Sequence, residues 1–390
     1  MTGSGLLAKR PRLRADLLFS RPLRRGPATV YLIKDRTRGR AFEIAEKEQF
    51  LFRRLDGVRS LAEITDEYAA EFGRRLNDDH WVRLLWLLHE RGLLSADATE
   101  SVATPGDARH AAVRWWARRL RWTLHPGLFA LLCGIVAAAL AVVALQLGSL
   151  WPAARPAFTD PTSLVALALL AWIGAALHEF AHALAAVHFG ATVKRINLVT
   201  LTCQIEDYLY LPRRSQQVMI AAAGGLANGL VLLFLAGVLA VVPDGRTPGL
   251  LSAYLLVGAA QTLINFIPLP PLDGYKIASH LLGMLDLAPE SRRYLWTAPR
   301  RLLLRTAPRY PRPAAIWLGL YGAWWLIAVA TVAAVMIYFV GAQLRPVLGG
   351  LAYVLPAAIV GLTIAGWLAR PRRARPAGAA PSRLLKQDNQ

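Results

Sequence analysis

Sulfur is scarce in this chain: 390 residues hold two cysteines and four methionines. Cys133 lies in an apolar run and Cys203 in a polar stretch, so neither a disulfide framework nor a thiolate metal cluster can be built. Any metal must therefore be held by histidine and carboxylate. Charge is thin as well. Only 18% of residues are charged against 55% hydrophobic, which is too apolar for the two or three soluble domains that the length would otherwise allow. Acidic residues are the scarcer sign, 25 against 45 basic, for a net charge of +20. Such an excess invites nucleic acid, but most of it flanks apolar runs, where it sets membrane orientation instead.

What is present divides the chain in two. Residues 1–125 read as soluble sequence, and nearly everything from Gly127 to Leu368 lies in apolar stretches near the length of a bilayer crossing. Six spans are expected, at 127–150, 164–188, 217–242, 250–267, 314–340 and 348–368. The first apolar run begins far from the N-terminus, so no cleaved signal peptide is expected. Basic residues crowd one set of flanks, among them Arg118, Arg119 and Arg121, Arg213 and Arg214, Arg292 and Arg293, and Arg372 and Arg373. The opposite flanks hold Arg155, Arg246 and Arg345. The positive-inside rule then puts both termini in the cytoplasm, as an even number of spans requires, and the protein in the cell membrane as a multi-pass protein.

The expected organisation is a basic segment at 1–27, a small soluble domain at 28–94, a linker and interfacial basic segment at 95–125, a six-helix membrane domain at 126–369 and a basic tail at 370–390. In the soluble domain, Ala28–Lys34 and Arg40–Ile44 are β-prone runs around the turn Asp35–Gly39, which suggests a hairpin. Helical patterns follow at Glu46–Leu55, Leu61–Phe72 and Asp78–Arg91, with Ser60 and Glu63 spaced as a capping box. A hairpin with three short helices is a winged-helix-like α+β unit. Between Pro27 and Leu94 twelve Lys and Arg face twelve Asp and Glu, so the unit carries no electrostatic footprint for phosphate and no nucleic-acid partner is expected. Arg and Trp at 109–122 read as an anchor at the bilayer surface.

Inside the second span stands His178-Glu179-Phe180-Ala181-His182. On a helix the two histidines are one turn apart on one face and can share one Zn²⁺, with Glu179 beside them to deprotonate a metal-bound water. Ionisable groups in a membrane helix are costly and are kept mainly for function; a polar path for ions or protons is the other reading of the same three groups. His188 falls ten residues after His178, but roughly 80° off its face and about 15 Å along the axis, which makes it a poor ligand and a marker of the helix end before Gly190. Downstream, Asn265-Phe-Ile-Pro268-Leu-Pro270-Pro271-Leu-Asp273-Gly274 halts a helix at membrane depth, where irregular backbone is tolerated only when buried or lining a cavity. Asp273 there is well placed to bind a metal, although Asp-Gly taken alone reads more readily as a turn. Val193–Leu211 reads equally as a hairpin offering an edge to an extended substrate or as a connecting loop.

The HExxH helix followed by Asn-x-x-Pro and Leu-Asp-Gly resembles the site-2 protease family of intramembrane zinc metalloproteases, over about residues 160–285. Ala223-Gly224-Gly225 with Asn228 is similar to that family's middle motif. The resemblance implies His178, His182 and Asp273 as zinc ligands, Glu179 as general base and Asn265 as a holder of the substrate backbone. The run of prolines before Asp273 is denser than the usual single Pro-x-Pro. In the soluble domain, Leu55-Asp-Gly57-x-Arg59-Ser-Leu61-Ala-Glu-Ile64 and Leu88-x-Glu90-Arg91-Gly92-Leu93-Leu94 resemble the small peptide-binding protein of pyrroloquinoline quinone biosynthesis (PqqD), over about 28–94. That resemblance implies a leader peptide docked as an added strand. The expected function is proteolytic removal of the leader from a ribosomally made, modified precursor peptide. A regulatory protease cutting a membrane-bound signalling protein, and a non-catalytic peptide exporter or immunity protein, are the alternatives.

Overall fold

The computed structural model describes residues 4–95, 111–242, 246–298 and 310–369. The linker beyond Ser95, the basic stretch 299–309 and the tail 370–390 lie outside them. The fold is mostly helical, with a small sheet near the N-terminus. It divides into two compact units, Met1–Leu23, Tyr31–Ala41 and Glu46–Met284 forming the first, and Arg24–Val30, Phe42–Ala45 and Leu285–Gln390 the second.

A short helix α1 (Ser4–Leu7) precedes strands β1 (Leu17–Phe19), β2 (Leu23–Arg25), β3 (Ala28–Asp35) and β4 (Arg40–Ala45). β3 pairs with each of the other three, antiparallel to β1 in the register Leu17 to Asp35 and Phe19 to Ile33. Helices α2 (Glu46–Phe52), α3 (Leu61–Phe72) and α4 (Asp78–Glu90) follow. The Ser60–Glu63 capping box is present at the start of α3, and Asn77 caps α4. Their apolar faces close on Leu51, Leu61, Ile64, Trp81 and Leu88, all at 1% exposure or less. The Trp81 indole keeps its donor satisfied by giving it to the Thr65 hydroxyl at 2.8 Å.

Two sequence expectations change here. α2 ends at Phe52 rather than Leu55, because the chain must turn into Asp56-Gly57, where Gly57 takes a left-handed φ of 82° against the Arg12 side chain. Residues 9–19, read as part of a basic segment preceding the domain, are built into it. The Leu13 amide donates to the Leu55 carbonyl at 2.9 Å, the Arg14 amide to that of Leu93 at 3.0 Å, and the Arg14 guanidinium binds Asp16 and Asp35.

The rest of the first unit is helical. After α5 (Ala111–Arg119) come α6 (Pro126–Leu145) and α7 (Leu147–Ala154), then α8 (Pro161–His188), a hairpin of β5 (Thr192–Asn197) and β6 (Thr202–Glu206), α9 (Arg214–Leu239), α10 (Arg246–Phe266) and α11 (Asp273–Leu282). The expected first span is thus divided at Gln146, and the 193–211 segment does form a hairpin. α9 is the hub, with 61% of its apolar window buried against 17% for α6 and for α8. Small residues make this possible: Ala221–Gly225 of α9 and Ala183, Ala185 and Ala186 of α8 are buried and let backbones approach. A side chain at Gly229 would overlap Val136 of α6, and a Cβ at Gly174 of α8 would lie 2.6 Å from the Tyr254 hydroxyl of α10.

In the second unit, α12 (Leu287–Trp296) packs with α13 (Arg312–Leu348), Leu295 filling the space above Gly322. A 3₁₀ turn at Gly349–Tyr353 leads to α14 (Val354–Ala369). Tyr353 packs on Gly341, twelve positions back, a contact that a continuous helix of roughly 18 Å between them could not make, so the chain reverses there. Among the described residues five segments are long and apolar enough to cross a membrane, the last being Arg312–Thr363 with 52 residues. The six expected from the sequence are counted as five here because α13 and α14, between which the chain reverses, fall within one apolar segment, and α14 by itself has only 16 residues.

Candidate metal centre

The site is assembled from α8, α9 and the start of α11. Asp160 caps α8 by accepting from the Ser163 amide, and Pro161 opens the helix; it then runs unbroken for 28 residues. His178 and His182 therefore project from one face, rings 4.7 Å apart and nearly perpendicular, and both are buried. α9 crosses this face at Gly224, where a Cβ would lie 2.5 Å from Nε2 of either histidine. Only glycine leaves room for both imidazoles.

α10 stops at Phe266, and the proline-rich turn delivers Asp273 as the first residue of α11. Gly274 is needed for that delivery, because a side chain there would strike the Phe266 and Ile267 carbonyls. Asp273 Oδ2 lies 2.9 Å from His178 Nε2 and 3.0 Å from His182 Nε2, and the two Nε2 atoms are 3.1 Å apart. One turn on, Lys276 Nζ donates to Asp273 Oδ1 at 2.8 Å, which leaves Oδ2 for the cluster.

Proton accounting decides what the cluster suits. His182 Nδ1 lies 2.7 Å from the Ile220 carbonyl, which can only accept, so Nδ1 carries the proton and a neutral ring presents a lone pair at Nε2. Lone pairs of nitrogen and carboxylate facing at about 3 Å repel unless a proton or a cation lies between them. Zinc bonds of about 2.0–2.1 Å in a tetrahedron would set ligand atoms roughly 3.3 Å apart, a few tenths beyond the spacing here. Two His and one carboxylate with a backbone carbonyl orienting one ring is a donor set that fits Zn²⁺.

Glu179, half-buried, lines a cavity of about 150 Å³ together with His182, Cys203, Tyr208, Lys276 and His280. Burial, with the Glu179 charge added, pushes the Cys203 thiol up to about 12, so it stays protonated and reacts slowly while the cavity is closed. Burial, with the Lys276 charge added, lowers His280 to about 4, which keeps it neutral. The structure thus brings together His178, His182 and Asp273, with Glu179 at the adjoining cavity. His188 is exposed at the last position of α8 and outside the cluster, while Asn265 is half-buried in the last turn of α10. Asn228, one turn beyond Gly224, is buried with both amide atoms unpartnered.

Lys276 and His280 are not apparent from a reading that takes Asp273-Gly274 as a loop. Once a helix begins at Asp273, positions three and seven residues on share its face, and that spacing is the signal that finds them. Comparison with protein-family models, curated proteins and solved structures yields no match.

Proposed function

We propose that this chain is an intramembrane zinc metallopeptidase of the site-2 protease type, and that it removes the leader from a ribosomally made, modified precursor peptide held by its N-terminal PqqD-like domain. The observation that carries the reading is the convergence of His178, His182 and Asp273 to within hydrogen-bond distance of one another, beside a cavity that Glu179 lines. When bound, zinc would acidify a water and polarise a peptide carbonyl. Glu179, which lines the adjoining cavity, would serve as the base that accepts a proton from the attacking water and passes it to the departing amine. The Ile220 carbonyl keeps the His182 ring turned, and Lys276 keeps Asp273 turned, so that neither ligand must reorganise. The hairpin of β5 and β6 stands beside the cavity and offers an edge for an extended peptide. Basic flanks support a multi-pass protein of the cell membrane with both termini in the cytoplasm, and the site within roughly 10 Å of the cytoplasmic end of α8.

The test is co-expression of a candidate precursor with the full chain, read by mass spectrometry of the peptide and metal analysis of the purified protein. The expected content is about one zinc per chain, lost in His178→Ala, His182→Ala and Asp273→Ala. Glu179→Gln keeps the zinc and loses cleavage by about 10²–10⁴. Cleavage retained in Glu179→Gln, or full zinc in Asp273→Ala, overturns the assignment.

A further inference from the structure

The soluble domain touches the wall of the cavity through a buried ion pair. Lys34, near the end of β3, places Nζ 2.6 Å from Asp207 Oδ1 and 2.8 Å from Glu206 Oε2, at the end of β6. Side-chain exposure is 11% for Lys34 and 7% for Asp207, far below that of a solvated surface pair. Burial by itself would lower the Lys34 pKa, but the two carboxylates outweigh it and raise it, so the lysine stays charged. The other oxygen of Asp207 accepts from the Thr192 hydroxyl at 2.8 Å, which closes the base of the hairpin. Asp207 also takes a left-handed φ of 66°, a conformation that Asp tolerates better than most residues with a side chain, and so turns the chain out of β6. A second link is the Arg21 guanidinium, which donates to the Pro212 carbonyl at 2.8 Å.

The residues next to this clamp face the chemistry. Tyr208 follows Asp207 directly, lines the cavity with Glu179, and sets its ring 5.2 Å from that of His280. Cys203 and Ile205 of β6 line the same cavity. The far end of the hairpin is held separately, by Trp172 Nε1 donating to the Val199 carbonyl at 3.2 Å. We propose that Lys34 is a positioning residue: by gripping Asp207 it sets the hairpin wall of the cavity, so the soluble domain is a working part of the peptidase as well as a place to capture substrate. This rests on the metallopeptidase reading above. A domain that only captured and tethered its substrate would act through effective concentration, leaving the cleavage of a leaderless peptide untouched.

The experiment uses the full chain carrying Cys133→Ser in lipid nanodiscs, with Cys203 as the only thiol, and times its alkylation by a maleimide. Lys34→Ala and Asp207→Asn should each speed labelling by about tenfold, the double variant no further than either single, and Lys34→Arg should restore most of the protection. Zinc content should stay at the level of the parent. With a leaderless fragment spanning the cut, Lys34→Ala should lower kcat by about three- to tenfold, a loss that capture alone does not produce. Labelling of Lys34→Ala at the parent rate overturns the proposal, as does labelling in which the two single effects add. Coupled labelling in a chain that cleaves no peptide overturns the peptidase reading and leaves the clamp standing.

Discussion

α9 and the α13–α14 segment are equally apolar, yet 61% of the α9 window is buried inside the protein against 6% for Arg312–Thr363. Hydropathy does not separate them; side-chain size does. α9 carries Ala221, Ala222, Ala223, Gly224 and Gly225 in one run, and these residues admit neighbouring helices, the two imidazoles and the Phe266 ring. α13 instead sets Trp317, Ile327, Val332 and Phe339 outward, each at least 48% exposed, as a surface made for hydrocarbon. In lipid there is little hydrophobic reward for bringing one apolar helix against another, so close packing must come from small residues and from polar contacts. The cluster of His178, His182 and Asp273 lies where such residues allow backbones to approach.

Enlarging the small residues should break this contrast most severely at the candidate metal centre. Gly224→Val puts atoms where both Nε2 atoms stand, and metal analysis should find zinc affinity down by a hundredfold or more with the helices still formed by circular dichroism. A variant that holds zinc normally would show that the α8–α9 approach is not what shapes the site. Next in size, Lys276→Met leaves Asp273 Oδ1 without its donor while keeping the side chain's bulk; competition with a chelator should report a loss of about 10–100-fold in zinc affinity. Away from the metal, Gly229→Val overlaps Val136 and should cost about 1–3 kcal/mol in reversible unfolding in mixed micelles, with zinc content unchanged. Smallest of all is Phe339→Leu on the exposed face of α13, where a change within about 0.5 kcal/mol is expected by the same assay. A loss as large as that of Gly229→Val would mean that this face packs against something.

The sequence disclosed these parts unevenly, for physical reasons. One-turn spacing puts His178 and His182 on one face in any helix, so that half of the site is local information. Asp273 joins them across 91 positions; the proline-rich halt before it and the resemblance to a known family point to it, while nothing in Asp-Gly itself distinguishes a ligand from a turn. The soluble helices are legible because their caps are written in adjacent residues, Ser60 with Glu63. β1 is not, since a three-residue strand carries no period, and its place depends on β3 sixteen residues later. The Lys34–Asp207 pair has no sequence signal at all, because a lysine at a strand end is ordinarily solvated and its partner lies 173 positions away.

The partner of His182 Nδ1 has an implication for how the site tolerates change. It is the main-chain carbonyl of Ile220, which every residue type supplies equally. A saturating mutational scan should therefore find position 220 permissive toward other apolar residues of similar bulk, although it orients the His182 ring, and position 224, which donates nothing, nearly invariant. In this helix the scarce resource is empty space, and a map of tolerance would trace the outline of the imidazoles more faithfully than a map of polar groups.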